Sequence, residues 1–119
     1  MEFYRINAQM LPKVNFVDET EIRPPYVHRK RRAGEQILYF IRHGEMHLLE
    51  DGKPLILKPG DVCLLDKDRT HEGTKATTCN YYYVHFMHGE MELVDAKEEE
   101  VSLRIFCTWA LPRRWRWGG

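Results

Sequence analysis

Apolar and polar residues alternate along this chain in short runs, which are separated by glycine, proline and aspartate. The clearest run, Gln36–Arg42, is apolar on both faces and rich in β-branched and aromatic residues, which predicts a buried strand. Glu90–Glu100 has a helical composition but is equally compatible with a solvated loop. Similar runs predict further strands at Phe3–Ala8, Lys13–Val17, Met46–Glu50, Pro54–Lys58, Val62–Asp66, Tyr81–Phe86 and Val101–Thr108.

Two turn motifs indicate how these strands are connected. Asp51-Gly52 predicts a tight hairpin, because a type I′ turn needs positive φ at both central residues. Pro59-Gly60-Asp61 predicts a second sharp turn, directly before another strand. Short strands at this spacing predict an all-β fold of the small-barrel or jelly-roll type, with at most one or two short helices. The strands predicted before residue 25 could instead form an arm laid over the barrel.

Length and charge limit the classes of protein that this sequence can encode. The 119 residues predict one domain, 1–119, with an N-terminal arm over about residues 1–25 and a barrel over about residues 26–112. There are 18 basic and 18 acidic side chains, so the formal net charge is zero. A domain that bound nucleic acid through phosphates alone would usually carry a basic excess, so we do not expect this chain to bind DNA directly.

Cysteine usage and hydropathy bear on the cellular compartment. Cys63, Cys79 and Cys107 are odd in number and widely spaced, which favours free thiols in a reducing cytoplasm over a disulfide framework. No apolar run approaches the roughly 18 residues that a membrane helix needs, and no stretch near Met1 is long enough for a signal peptide. We therefore expect a cytoplasmic protein without membrane contact.

The motif that starts at Gly44, G-E-M-H-L-L-E-D-G-K-P-L-I-L-K-P-G-D, is followed by H-E-G at His71 and Y-V-H-F at Tyr83. With these motifs the chain resembles the N-terminal cupin-type sensor domain of AraC-family transcription regulators. The resemblance implies a cupin-type double-stranded β-helix with a small effector in its lumen, and a homodimer. It also implies DNA contact only through a helix-turn-helix module, which we expect to lie outside this chain.

The closing strand of the motif separates its side chains into two sets. Because side chains alternate along a strand, Tyr81, Tyr83 and His85 share one face, and Tyr82 and Phe86 share the other. The first set is amphipathic and suits a ligand-lined interior, whereas the second set is mostly apolar and is expected to pack. Tyrosine faces fit the C–H face of a sugar or an aromatic ring.

The resemblance adds residue roles to this pattern. It implies that Tyr81 and Tyr83 stack on the ligand, and its inward arginine falls at Arg29 by distance from Gly44. An arginine fork would bind vicinal hydroxyls or a carboxylate. We therefore expect the effector to be a sugar, a sugar acid or a small aromatic acid. The candidate ligand-binding residues are Arg29, Tyr39, His71, Tyr81, Tyr83 and His85.

Each of these residues also has a structural interpretation. The basic run Arg29–Arg32 could be a solvated charged edge, on which only alternate members could point inward. His85 could bond to the backbone, and His71 could lie on the surface. Tyr39 and Tyr83 could be core residues, because buried aromatic side chains dominate small cores.

Enzymatic cupins hold a metal ion with three histidines and a glutamate, and the matching positions here are His28, Glu35 and His71. Lys30 replaces the second histidine, and a lysine ammonium opposes a divalent cation. Eight residues separate Glu35 from Gly44 where the cupin pattern has six. We therefore expect neither a metal nor another cofactor.

These observations favour a non-enzymatic domain that senses a small effector and dimerises as part of an AraC-type transcription regulator. Two alternatives remain open. One is a stand-alone, metal-dependent cupin enzyme, either an isomerase or a dioxygenase. The other is a non-catalytic, sugar-binding cupin.

Overall fold

The computed structural model describes residues 2–95, 104–105 and 108–116. The described part of the chain contains strands and turns but no helix, which confirms the predicted all-β class. None of it forms a helix long and apolar enough to cross a membrane. The strands are β1 (Glu2–Asn7), β2 (Lys13–Ile22), β3 (Gln36–Gly44), β4 (Met46–Glu50), β5 (Lys53–Leu57), β6 (Asp61–Leu65), β7 (His71–Gly73), β8 (Cys79–Met87), β9 (Met91–Asp95), β10 (Arg104–Ile105), β11 (Thr108–Pro112) and β12 (Arg114–Arg116).

The strands form three antiparallel sheets. The five-stranded sheet has the order β12-β6-β3-β8-β2, and the three-stranded sheet has the order β5-β4-β7. A four-stranded sheet, β10-β11-β1-β9, brings the first strand beside strands from the end of the described chain. Every pairing joins strands in opposite directions, as short hairpin connections require.

The main core lies between the inner faces of the five-stranded and three-stranded sheets. On β3 the residues Ile37, Tyr39 and Ile41 point into it, as the period of two requires. Leu38 and Phe40 on the other face are half-buried, so β3 is covered on both sides, as predicted. The cluster consists of Ile37, Tyr39, Ile41, Met46, Leu48, Leu57, Cys63, Leu65, Cys79 and Tyr81.

Both predicted turns are present. Asp51 and Gly52 have φ angles of 46° and 81°, the positive pair that a type I′ hairpin needs between β4 and β5. Gly60 has a φ of 87°, and the backbone N–H of Lys58 donates to the Asp61 carboxylate at 2.8 Å, which closes the turn into β6. The first turn sets the register of β4 against β5, and the second passes the chain from the three-stranded sheet to the five-stranded sheet.

Some boundaries differ from the predictions. β2 continues to Ile22, because its acidic residues face solvent at the sheet edge and do not interrupt pairing with β8. The helical interpretation of Glu90–Glu100 is wrong for Met91–Asp95, which forms β9 by pairing with β1. Residues 96–100 lie outside the described part of the chain, as do Cys107 and most of the strand predicted at Val101–Thr108. Cys63 and Cys79 are buried free thiols, as expected.

The core assignment can be tested with a matched pair of isoleucines. Ile41 is fully buried at the centre of β3, whereas Ile56 on β5 is 40% exposed. Ile41→Ala should lower the free energy of unfolding by about 2–5 kcal/mol, because it removes buried methyl groups and leaves a cavity. Ile56→Ala should cost less than about 1 kcal/mol. Urea denaturation of both variants measures the difference, and equal costs would contradict the assigned core.

Candidate functional site

A cavity of about 630 Å³ opens on the inner face of the five-stranded sheet, next to the core. Strands β2, β3 and β8 form its floor, and the connection between Ile22 and Gln36 crosses beside it. A volume of this size is typical of small-molecule sites. The lining residues are Phe16, Thr20, Ile22, Tyr26, His28, Arg31, Glu35, Tyr39, Tyr81, Tyr83 and His85.

Cross-strand pairing explains why these side chains converge. Directly opposed residues of an antiparallel pair face the same side of a sheet. Tyr83 on β8 is opposed by Tyr39 on β3, and both line the cavity. On the other side of β8, Phe16 is opposed to His85 and Thr20 to Tyr81. The residues of β2 and β3 that line the cavity are therefore those that lie opposite the inward-facing residues of β8.

The aromatic side chains form a continuous row through the cavity. The order is Tyr26, His28, Tyr81, Tyr83 and His85, with neighbouring ring centroids 5.4 to 6.4 Å apart. Most of these rings are steeply inclined to one another, the arrangement that aromatic quadrupoles favour. The row offers a flat ligand several ring faces and edges.

Two further rings extend this row sideways. Tyr39 packs edge-on against Tyr81 with centroids 5.0 Å apart, and Phe16 lies 5.8 Å from Tyr83. Burial raises the pKa of Tyr39 to about 12 and also raises the pKa of Tyr81. Both phenols are therefore neutral at physiological pH and can donate hydrogen bonds.

The cavity holds a carboxylate–imidazole pair beyond Tyr83. The Nδ1 atom of His85 lies 2.7 Å from the Oε1 atom of Glu35, and Asn15 Nδ2 donates to the other carboxylate oxygen at 2.8 Å. Two hydrogen bonds lower the pKa of Glu35, and the one from Asn15 has a larger effect than the one from His85. Glu35 is therefore ionised, and it orients the His85 ring with a proton on Nδ1.

Two groups that line the cavity, one on His28 and one on Arg31, have no hydrogen-bond partner among the described residues. The Nε2 atom of His28 is buried without a hydrogen-bond partner among the described residues. Burial, with a smaller effect of the Arg31 charge, lowers the pKa of His28, which keeps the ring neutral. The Arg31 guanidinium likewise forms no hydrogen bond or ion pair with any residue in ranges 2–95, 104–105 and 108–116.

The structure brings four of the predicted ligand-binding residues, Tyr39, Tyr81, Tyr83 and His85, into this one cavity. Arg29 and His71 instead line a narrow cleft of about 20 Å³, which shares His28, Arg31 and Tyr39 with the large cavity. Arg31, two residues after Arg29, lines the large cavity. The residues between Ile22 and Gln36 form no named strand, so counting back from Gly44 could not identify the arginine that reaches it.

Other lining residues were not among the predicted ligand contacts. Thr20 and Ile22 were missed because β2 was predicted to end at Val17, and Phe16 was missed because nothing in the sequence indicated that this strand pairs with β8. Tyr26 lies in the irregular connection, where no period assigns a direction. Apolar and polar residues alternate only from Lys13 to Phe16, and the polar run Asp18–Glu21 gives no sign that the strand continues to Ile22.

The second face of β8 is not uniformly buried. Tyr82 is 43% exposed on the outside of the sheet, so the expectation that it packs in the core is wrong. Its ring lies beside Phe40 and under the Arg42 guanidinium, whose Cζ atom is 4.9 Å from the ring centroid. Phe86 on the same face is half-buried.

His71 takes part in a buried ion cluster centred on Glu50. Its Nε2 atom lies 2.7 Å from the Glu50 carboxylate, which is 7% exposed and also accepts hydrogen bonds from Arg69 and Arg113. Glu2 on β1 bonds to the same two arginines. Burial opposes ionisation of Glu50, but the hydrogen bond from His71 and the arginine charges outweigh it and lower the pKa to about 2.

The candidate metal ligands do not form a metal site. His71 is bonded to Glu50, and Glu35 is bonded to His85. Within the part of the chain that the structure describes, no three histidine, cysteine, aspartate or glutamate side chains are grouped to hold a metal ion. The donor set that the cupin pattern would require is therefore divided between separate contacts.

Comparison with known proteins identifies the family. A family of AraC-like ligand-binding domains matches residues 20–100, and the chain belongs to this family. The similarity predicted from the Gly44 and Tyr83 motifs is confirmed. No curated protein sequence matches the chain.

A solved structure supports the fold. The crystal structure of a predicted oxalate decarboxylase from Thermotoga maritima superposes with a TM-score of 0.55 and 24% sequence identity, over 63% of this chain and 68% of that chain. That protein has the cupin fold, which agrees with the β-barrel jelly roll predicted for this chain. At this identity the likeness concerns the fold.

The Glu50 cluster predicts a pH-dependent contribution to stability. Glu50→Gln should lower the free energy of unfolding by about 3–5 kcal/mol at neutral pH, because it leaves Glu2 as the one carboxylate of the cluster for Arg69 and Arg113. The folded-state pKa of Glu50 lies below its ordinary 4.5, so the stabilisation is complete above that pH and is lost as pH falls towards 2. Denaturant unfolding from pH 7 to pH 2 measures the difference between wild type and variant.

A surface pair supplies the control for this measurement. Glu92 pairs with Arg5, and both side chains are well exposed, at 63% and 59%. Glu92→Gln should cost less than about 1 kcal/mol. A Glu50→Gln cost that matched the control, or that stayed constant down to pH 2, would contradict the cluster's role.

Proposed function

We propose that this chain is the non-catalytic, effector-sensing domain of an AraC-type transcription regulator, and that its effector binds in the 630 Å³ cavity. The observation that carries the proposal is the convergence of Tyr39, Tyr81, Tyr83 and His85 on this cavity, inside the matched region 20–100. Binding of the effector requires no cofactor, because the cavity already offers aromatic faces and polar groups.

Strand β2 suggests how binding could be transmitted. It is the edge of the five-stranded sheet, and the side chains of Phe16, Thr20 and Ile22 form one wall of the cavity. Among the described strands, only β8 pairs with β2. A shift of β2 therefore disrupts fewer hydrogen bonds than a shift of a central strand, which is paired on both sides. An effector that contacts this wall would favour one arrangement of β2, provided it binds that arrangement more tightly. DNA would be contacted by a helix-turn-helix module outside this chain.

We also propose that the domain acts as a homodimer in the cytoplasm. Support comes from apolar side chains on the outward face of the five-stranded sheet, where Val14 is 52% exposed, Val17 62% and Tyr82 43%. Clustered exposed apolar residues of this kind favour association. Light scattering coupled to size-exclusion chromatography tests the dimer, and a monomer at micromolar concentration would contradict it.

A neighbouring pair of tyrosines tests the site. Tyr83→Ala should weaken effector binding by about 1–3 kcal/mol, because it removes a ring at the centre of the aromatic row. Tyr82→Ala removes the same ring from the outer face and should leave affinity unchanged. Thermal-shift screening with sugars, sugar acids and aromatic acids identifies a ligand, and titration calorimetry then compares the variants. An equal loss of affinity in both would argue against this cavity.

A metal-dependent cupin enzyme is the alternative function, and a sugar-binding cupin is a third. The enzyme is favoured by the described activity of the structurally similar Thermotoga maritima protein, a predicted oxalate decarboxylase. Elemental analysis of the purified protein separates the hypotheses. About one transition-metal ion per chain, lost in His71→Ala, would favour the enzyme.

A further inference from the structure

We propose that the effector is a small carboxylic acid with a flat, apolar body, and that its carboxylate binds between the Arg31 guanidinium and the Nε2 atom of His28. The inference rests on the proposed function, because it names the chemical class that the same cavity would take. It also assigns ligand contacts to two residues, Arg31 and His28, that the sequence pattern did not select for this role.

Arg31 provides the first argument. Its guanidinium lines the cavity and has no hydrogen bond or ion pair to any described residue. Arg31 is an exposed residue, so its guanidinium is accessible to a ligand that enters the cavity. The planar fork of an arginine matches the two oxygens of a carboxylate, which can accept two parallel hydrogen bonds. A guanidinium free at the wall of a cavity therefore suits an anionic ligand.

The backbone of Arg31 is well fixed. Its N–H donates to the carbonyl of His71, and the N–H of His71 donates back, each at 2.9 Å. The carbonyl of His28 accepts from the N–H of Gly73, also at 2.9 Å. Arg31 and His28 are thus held against the same strand, β7, and their side chains line the same cavity. Fixed backbone reduces the ordering that a ligand must impose.

His28 provides the second argument. Buried polar atoms in folded proteins almost always have a hydrogen-bond partner, and the Nε2 atom of His28 has none among the described residues. A neutral imidazole that carries its proton on Nε2 donates to a carboxylate oxygen. His28 and Arg31 both line the cavity and the narrow cleft beside it, and the proposal places one carboxylate between these two groups.

The cavity's remaining polar groups argue against a neutral sugar. Sugar hydroxyls are usually bound by carboxylate and amide side chains, which accept and donate in one plane. Of the described residues that line the cavity, Glu35 is the only one with such a side chain, and both of its oxygens are already bonded, to His85 and Asn15. The tyrosine row, in contrast, provides ring faces and edges for a flat apolar body.

The charge distribution orients this ligand. Glu35 lies beside His85, at the end of the aromatic row beyond Tyr83, whereas His28 lies beside Tyr81. An acid whose carboxylate is at the His28 end directs its body along Tyr81 and Tyr83, and the Arg31 charge, which also lowers the pKa of Glu35, offsets the repulsion between the two carboxylates. The reverse orientation would bring two carboxylates together, which is unfavourable.

The experiment compares acids with uncharged analogues of the same shape. Benzoate, salicylate and phenylacetate are tested by thermal shift and calorimetry beside their amides, together with galactose and galacturonate. We expect at least one aromatic acid to bind more tightly than its amide, on the order of tenfold or more, because only the acid pairs with Arg31. The sugars should bind weakly.

Variants assign this preference to the two residues. Arg31→Gln should abolish the preference for the acid, and Arg31→Lys should restore only part of it because the fork is lost. Arg32→Gln is the matched control, since Arg32 is exposed and does not line the cavity. His28→Phe should reduce affinity for the acid without lowering the stability of the ligand-free protein, because it removes an unpaired buried nitrogen.

The outcomes separate this inference from the proposed function. If an amide or galactose binds as tightly as the acids, and Tyr83→Ala removes that binding, the cavity is an effector site but the carboxylate inference is wrong. The inference is also wrong if galacturonate binds and the aromatic acids do not, or if acid preference survives Arg31→Gln. If neither the acids nor the neutral compounds bind, the inference fails and the proposed function loses its support.

Discussion

The buried carboxylate of Glu50 joins parts of the chain that are distant in sequence. It binds His71 on β7, Arg69 in the preceding loop and Arg113 between β11 and β12. Glu2 on β1 completes the cluster by bonding to both arginines. The Glu50 carboxylate thereby links all these elements, and removing it would leave the two arginines with Glu2 alone to balance their charges. Ionised Glu50 therefore connects β4 with β7, with the loop before β7 and with the turn between β11 and β12.

This constraint extends to the cavity. Strand β7 carries His71, whose side chain is held by Glu50 and whose backbone is hydrogen-bonded to Arg31. The connection that carries Arg31 and His28 is therefore fixed to the same short strand that the ion cluster positions. The irregular connection beside the cavity is thus bonded to β7, a strand of three residues. Strand β7 is in turn held by its pairing with β4 and by the hydrogen bond between His71 and Glu50.

Some residues belong both to the hydrophobic core and to the wall of the cavity, which limits the substitutions that either can tolerate. Tyr39 and Tyr81 belong to the main hydrophobic cluster and also line the cavity, whereas Tyr83 and His85 extend it towards the sheet edge. Substitutions at the first two would affect stability and binding together. Substitutions at the last two act on the less buried end, so they report on binding more directly.

The sequence by itself determined the features that depend on local backbone geometry. The Asp51-Gly52 and Pro59-Gly60-Asp61 turns were predictable because few residues tolerate positive φ, and the inward face of β8 followed from its period of two. Tertiary structure decided the rest. Arg31 rather than Arg29 reaches the large cavity because an irregular connection has no period, and β9 forms because β1 supplies its partner. The Glu50 cluster could not be predicted, because its members are far apart in sequence and only folding brings their charges within hydrogen-bonding distance.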